Sequence, residues 1–326
     1  MGRLRVASAA LVVMVLASGC LAPRNPSRYG VNGDANTTAA ELMRQAGFKW
    51  VRLFVGWDDL QPNGPGLDKN DLAYVDSEVN AYASKGFSVS IVITRHVPWW
   101  VRDNFQPEPC ASHPNERRPL AGYFEQFMTL MALHFKDRVA AWELWNEPEL
   151  DCRFPGTPAD FRRLIFNPGF DAIRAAQPDA IILGPALADV TQLNAYYTYV
   201  SGGSRYLTRP VAAINIHHYG TVDDIESAMN TANSYVQCVW GGTYCVTKYW
   251  LTEFGFTESD AAGDAPNILA HCDAQKYCER AFYFAANYEG LGGQTFALLD
   301  PKTLVPRTKY YKLKEYILSK EPPLPG

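Results

Sequence analysis

Short apolar, β-branched runs alternate with longer helical stretches from Tyr29 to the end of the chain, and this alternation limits what the chain can fold into. The apolar runs are Tyr29–Asn32, Trp50–Val55, Phe87–Thr94, Val139–Trp145, Ala180–Leu183, Ala212–Ile216, Tyr249–Leu251 and Gln294–Leu299. The helical stretches are Ala39–Ala46, Leu72–Ser84, Tyr123–Phe135, Ala159–Ala176, Asp224–Asn233, Gln275–Tyr288 and Tyr310–Leu318. Strands that are apolar almost throughout are buried on both faces, as in a parallel sheet covered by helices. Eight strand runs within residues 29–326 predict an α/β fold, a single-domain (β/α)8 barrel. A doubly wound open sheet is the competitor. It would carry a phosphate-binding glycine loop after its first strand, and Gly30-Val31-Asn32-Gly33 lacks that spacing.

Residues 1–20 read as an address rather than as structure. Arg3 and Arg5 precede an uncharged run from Ala7 to Ala17, and small residues lead to Cys20. A basic start, an apolar centre and a small-residue cut make a signal peptide, and the run is too short for a membrane span. Ending the cut on cysteine resembles the bacterial lipoprotein signal, with Leu16 one residue earlier than usual; a plain secretory signal is the alternative. Residues 21–28 form a polar linker. The expected location is outside the cytoplasm, with any membrane contact made only through a lipid on Cys20.

Cysteine usage agrees with export. Of seven cysteines, removal of Cys20 leaves Cys110, Cys152, Cys238, Cys245, Cys272 and Cys278, an even set suited to three disulfides. Proximity favours Cys238 with Cys245. Cys110 and Cys152, in the loops after the third and fourth strands, are expected to bridge. Cys272 and Cys278 can pair only if the helix starts after Cys272, because six residues of unbroken helix span about 9 Å.

Catalytic groups of such a barrel sit at the C-terminal ends of its strands. Those ends carry Arg52 on the second strand and His96 just after the third. The fourth ends in Asn146 and Glu147, the sixth in His217 and Tyr219, the seventh in Glu253. Strands four and seven lie three apart around a ring of eight, so Glu147 and Glu253 are expected to face each other across the mouth. Two facing carboxyls are what glycoside hydrolysis needs: one protonates the leaving oxygen, the other attacks or activates water. Glu143 shares strand parity with Glu147, and a carboxylate inside the barrel needs a partner, for which Arg52 is the candidate. His218 has the opposite parity and reads as a packing residue. Adjacent histidines on a strand face opposite sides and no Cys-x2-Cys pair exists, so no metal is expected, nor any cofactor. Trp57, Trp99 and Trp100 lie near the mouth, where they either stack on sugar rings or pack loops. A net charge of −4 gives no footprint for nucleic acid.

Two segments sharpen the reading. Trp142-Glu143-Leu144-Trp145-Asn146-Glu147-Pro148 and Trp250-Leu251-Thr252-Glu253-Phe254-Gly255 resemble the fourth- and seventh-strand signatures of clan A glycoside hydrolases, closest to families 5 and 39. Trp50-Val51-Arg52 and His217-His218-Tyr219-Gly220 extend the likeness to the second and sixth strands. The resemblance implies a retaining β-glycosidase acting on an oligo- or polysaccharide. Glu147 would be its acid/base and Glu253 its nucleophile, with Arg52 steadying Glu253. Asn146 would contact the sugar 2-hydroxyl, and His96, His217, Tyr219, Trp99 and Trp100 would line the substrate site. Set among Trp145 and Pro148, Glu147 is expected to be held neutral. The clan often has a tryptophan on the eighth strand that floors the reacting sugar; Gly293–Leu299 has none, and Phe296 is its candidate substitute. A sugar-binding barrel without turnover and a transglycosidase are the alternatives.

Overall fold

The computed structural model describes residues 24–325 apart from 95, 105–115, 151–152, 198–199, 202–203, 206–208, 237–245 and 258–263, and 289–295. Strands and helices alternate as β1 (Tyr29–Asn32), α1 (Thr37–Gln45), β2 (Trp50–Gly56), α2 (Lys69–Ala83), β3 (Ser88–Thr94), α3 (Tyr123–Phe135) and β4 (Val139–Glu143). There follow α4 (Asn167–Ala176), β5 in two segments (Ile181–Leu183 and Ala186–Leu187), α5 (Leu193–Tyr197) and β6 (Ile214–His217). The series ends with α6 (Val222–Tyr235), β7 (Tyr249–Phe254), α7 (Asp264–Ala274), β8 (Cys278–Tyr283) and α8 (Thr308–Lys320). All eight barrel strands are parallel to their neighbours, and Val200–Ser201 and Ser204–Arg205 form a separate antiparallel pair. β1 pairs with both β2 and β8, the first segment of β5 pairs with β4, and the second pairs with β6. The ring therefore closes as the predicted (β/α)8 barrel.

Local sequence starts the helices where the barrel needs them. Asn36 accepts from the Thr38 and Ala39 amides at the head of α1, Asp68 does the same for α2, and Thr221 and Asp224 form a capping box on α6. A continuous apolar shell, including Met43, Val79, Met131, Ile173, Ile225 and Leu313, lies between strands and helices. Inside the barrel, its N-terminal end is plugged by Trp50, Ala141, Leu183, Trp250 and Phe282. Trp250 stacks on Phe282 at 5.7 Å and meets Trp50 edge-on at 5.4 Å. Gly30 is required beside this plug, because a Cβ there would lie 2.3 Å from the Phe282 ring. Above the plug the interior turns polar.

The last strand corrects the sequence reading. Gln275–Tyr288 was expected to be a helix, yet α7 ends at Ala274 and Cys278–Tyr283 is β8. Gln294–Leu299 was expected to be the eighth strand. Of it, residues 296–299 are loop, docked by hydrogen bonds from the Leu298 and Leu299 amides to the carbonyls of Ala285 and Ala286. The physical reason is Arg280. Its guanidinium enters the barrel floor, 4.4 Å from Trp50 and 4.5 Å from Trp250, so a charged pair with Glu279 interrupts the apolar pattern of a buried strand. The turn between α7 and β8 brings Cys272 and Cys278 to a Cα separation of 5.3 Å, and they are disulfide-bonded. The helix does not span the pair because it ends before Cys278, rather than starting after Cys272. Cys20, Cys110, Cys152, Cys238 and Cys245 lie outside the described residues.

Glu78 on α2 is 5% exposed, and its Oε2 has no hydrogen-bond partner. Burial, reinforced by the charge of Asp34, pushes its carboxyl up to about 8. The folded chain therefore holds a proton there that the unfolded chain releases near 4.5. Stability from this group is complete below that value and falls as pH rises through 8. Glu78→Gln should leave urea stability at pH 4 nearly unchanged and raise it at pH 8.5, by on the order of 1–3 kcal/mol. Equal denaturation midpoints at pH 8.5 would contradict this.

Candidate active site

The polar upper half of the barrel is organised by one arginine. Arg52, wholly buried, projects from β2 to the barrel axis. Its Nε and Nη2 donate to the two oxygens of Glu143 at 3.0 and 2.6 Å, a bidentate pair. Nη2 also donates to Asn146 Oδ1 at 2.7 Å, and Nη1 to Glu253 Oε1 at 2.7 Å and Asn32 Oδ1 at 2.9 Å. One guanidinium thus ties together the ends of β1, β2, β4 and β7. Glu143 is its structural partner, as the sequence parity implied.

The backbone delivers both carboxylates. A regular strand would send Asn146 and Glu147 to opposite faces. Trp145 (φ 82°) and Glu147 (φ 48°) instead adopt left-handed conformations just beyond β4. The Glu147 amide is held by the Ala186 carbonyl at 2.9 Å, so both side chains reach the mouth. Such strain in non-glycine residues persists only where the surroundings impose it, typically at functional sites. β4 accordingly stops at Glu143 instead of the expected Trp145. On β7 a register shift between Leu251 and Glu253 plays the corresponding part.

Glu147 and Glu253 are each 6% exposed, and one oxygen of each lies within 4.8 Å of the other and of a ring nitrogen of His217. Glu253 takes the Arg52 bond on Oε1 and a 2.7 Å bond from the Tyr219 hydroxyl on Oε2. Glu147 Oε1 bonds His217 Nδ1 at 2.8 Å, and its Oε2 is paired with Arg153, from the loop after β4. His217 Nε2 in turn meets Thr252 Oγ1 at 3.1 Å. These contacts overturn the expectation that Glu147 rests neutral. Burial alone would raise its carboxyl, but His217, Arg153 and Arg52 outweigh burial and hold it near 2. His217 moves the opposite way: burial opposes its charge, yet Glu253 and Glu147 raise it. The positive groups that face Glu143, Glu147 and Glu253 are thus Arg52, Arg153 and, when it carries its second proton, His217. Glu147, His217 and Glu253 offer the geometry of a cation site, but two guanidiniums bonded to those same carboxylates oppose a metal ion.

The remaining site residues divide. Tyr219 reaches Glu253. His217 is wholly buried and is bonded on its two ring nitrogens to Glu147 and Thr252. His96 is paired with Glu116 at 2.6 Å in the loop after β3. Trp99 and Trp100 donate their indole N–H to the carbonyls of Pro62 and Gln61; Trp100 packs on Tyr123, whereas Trp99 is 66% exposed. Trp57 is buried against Phe124 and Phe127 and packs. His218 is half-buried, and its backbone amide donates to the Glu253 carbonyl at 3.1 Å.

With the eighth strand relocated, Phe284 stands at its end. Its ring lies 6.1–6.3 Å from those of Tyr219, Phe296 and Phe54, so Phe296 shares an aromatic wall with Phe284. Asn32, Arg153, Thr252 and Phe284 were missed from sequence. Asn32 was findable: β1 aligns it beside Arg52, and the strand-end rule applies to the first strand as to the others.

A (β/α)8 barrel with two glutamates this close at the C-terminal ends of its fourth and seventh strands defines a class, the retaining glycoside hydrolases. The chain belongs to the cellulase family, glycosyl hydrolase family 5, whose profile matches residues 24–285. Among solved structures it is similar to a family 39 glycoside hydrolase of Bacteroides cellulosilyticus WH2, at 15% identity and TM-score 0.65, covering 89% of this chain and 63% of that one. It is similar to the exo-β-1,4-mannosidase of Opitutaceae bacterium strain TAV5, at 18% identity and TM-score 0.65, covering 92% of this chain and 60% of that one. The endo-β-1,4-glucanase of Xanthomonas axonopodis pv. citri matches at 15% identity and TM-score 0.63, covering 89% and 99%. This chain thus spans less than two thirds of the first and second of these proteins. No curated protein matches the sequence significantly.

Proposed function

We propose that the chain is an exported retaining β-glycosidase that cleaves a β-linked oligo- or polysaccharide by double displacement. The observation carrying this reading is the approach of Glu147 and Glu253 to within 4.8 Å, close to the separation of about 5–5.5 Å at which the second carboxylate attacks the sugar directly and below the roughly 6.5–9.5 Å that leaves room for water. Glu253, oriented by Arg52 and Tyr219, is the nucleophile that bonds to the anomeric carbon. Glu147, ionised in the free enzyme, takes up a proton through its bond to His217, gives it to the departing oxygen, and then takes one from the water that releases the sugar. The aromatic wall of Phe54, Tyr219, Phe284 and Phe296 offers apolar ring faces to the sugar. An endo-β-1,4-glucanase and an exo-β-1,4-mannosidase on the same fold support a β-linked hexoside as substrate.

The test is turnover of 4-nitrophenyl β-glucoside, β-mannoside, β-xyloside and β-cellobioside, with proton NMR of the first product formed. The β anomer should appear first. Binding without turnover, or an α anomer, overturns the reading. Export, with a lipid on Cys20 as the anchor, is part of the same proposal. Detergent partitioning of wild-type and Cys20→Ser protein from the producing cell tests it, and a wholly soluble wild type rejects the anchor.

A further inference from the structure

Glu147 has two oxygens and they face different worlds. Oε1 is bonded to His217, which has no solvent exposure. Oε2 is bonded to Arg153, whose side chain is 42% exposed at the barrel mouth. A leaving group can approach only from the mouth, so Oε2 is the oxygen that must meet the glycosidic oxygen, and Arg153 stands in that place. Arg153 is also mounted firmly. Its carbonyl accepts the indole N–H of buried Trp145 at 2.8 Å, and its amide donates to the Leu150 carbonyl at 3.1 Å. The base of the side chain is fixed to the barrel wall, and only the guanidinium has to move for a substrate to enter.

We propose that Arg153 is the specificity-determining residue of the leaving-group side, and that it takes an anionic group, a carboxylate or a sulfate, carried by the departing sugar. The inference rests on the reading of Glu147 as the proton donor. The guanidinium binds a carboxylate, that of Glu147, which shows the ligand chemistry its position suits. A guanidinium has five N–H donors in a planar fork that fits carboxylate or sulfate with two parallel bonds. An anion on the leaving sugar offers Arg153 a replacement partner as it clears Oε2. It also removes a positive charge from a carboxyl that must hold a proton in order to donate it. A neutral leaving group displaces the same arginine into water with no replacement. Arg153 is thus a latch on the donor oxygen that an acidic substrate releases more readily than a neutral one. Glycans bearing uronic acid or sulfated residues on the leaving-group side are the matching substrates.

The experiment uses two aryl β-glycosides of one sugar, chosen from the active member of the panel above. One has a 4-nitrophenyl leaving group and the other 3-carboxy-4-nitrophenyl, phenols of similar acidity that differ in charge. The wild-type enzyme should prefer the carboxylated substrate by at least tenfold in kcat/KM. Arg153→Gln should abolish that preference. On the neutral substrate, Arg153→Gln should also move the alkaline limb of kcat/KM to higher pH, because Glu147 loses an adjacent cation. A merely structural arginine would move neither the ratio nor the limb. Equal rates on both substrates, with a ratio and pH limb unchanged in Arg153→Gln, overturn the inference while leaving the glycosidase reading intact. If the wild type turns over neither substrate, it is the glycosidase reading that fails.

Discussion

Glu253→Ala should lower kcat on every β-glycoside by about 10⁴-fold or more, the scale on which loss of a catalytic nucleophile acts, irrespective of the leaving group. The indifference to the leaving group is the discriminating feature. Without the carboxylate no glycosyl-enzyme forms, so making departure easier does not help. The fold should persist, because Arg52 keeps its bidentate pair with Glu143 and its bonds to Asn32 and Asn146. Its charge therefore remains compensated inside the barrel, and the large penalty of an unpaired buried ion does not arise. Added azide can occupy the space of the lost carboxylate and attack from that side, giving the α-glycosyl azide. Circular dichroism, kinetics on activated and unactivated substrates, and NMR of the azide product check the three statements. Activity within tenfold of wild type on any substrate would remove Glu253 from the nucleophile's role.

The same reasoning from strand ends explains what was legible in the sequence. Asn146, Glu147, His217, Tyr219 and Glu253 sit where apolar runs stop, and the barrel gathers strand ends at one face, whereas Arg52 stood out as a charge inside the apolar run of β2. Glu143 was readable because period-two parity put a carboxylate inside the barrel, and a buried charge demands a partner. The eighth strand was not readable. Its inward positions include Arg280, stabilised by the faces of two tryptophans from β2 and β7, and no local pattern announces that contact. That displacement carried the aromatic wall with it, so Phe284 was overlooked in favour of Phe296. The protonation of Glu147 was misjudged for a related reason. Its immediate neighbours in sequence are apolar, but its charge state is set by His217, seventy residues away, and by Arg153, in a loop with no periodicity to read.

Glu147→Ala should divide substrates by their leaving groups. For poorly activated β-glycosides, loss of the proton donor should lower kcat/KM by about 10²–10⁴-fold, the usual span of general acid catalysis. For 2,4-dinitrophenyl glycosides, whose leaving group departs without a proton, kcat/KM should stay within about tenfold of wild type. The glycosyl-enzyme on Glu253 should then accumulate, because no base remains to activate water. His217 does not substitute: it is wholly buried, its Nε2 lies 3.6 Å from Glu253 Oε1, and removal of Glu147 does not bring it to the mouth. Azide, which needs no base, fits the space left by the carboxylate, beside the cationic Arg153. It should attack the glycosyl-enzyme on the face opposite Glu253, restoring turnover and giving the β-glycosyl azide. Because Arg153 attracts the anion, the double variant Glu147→Ala/Arg153→Gln should need more azide for the same rate. The stereochemistry of the azide product is decisive: an α-azide from Glu147→Ala would exchange the two roles, making Glu147 the nucleophile and Glu253 the acid/base.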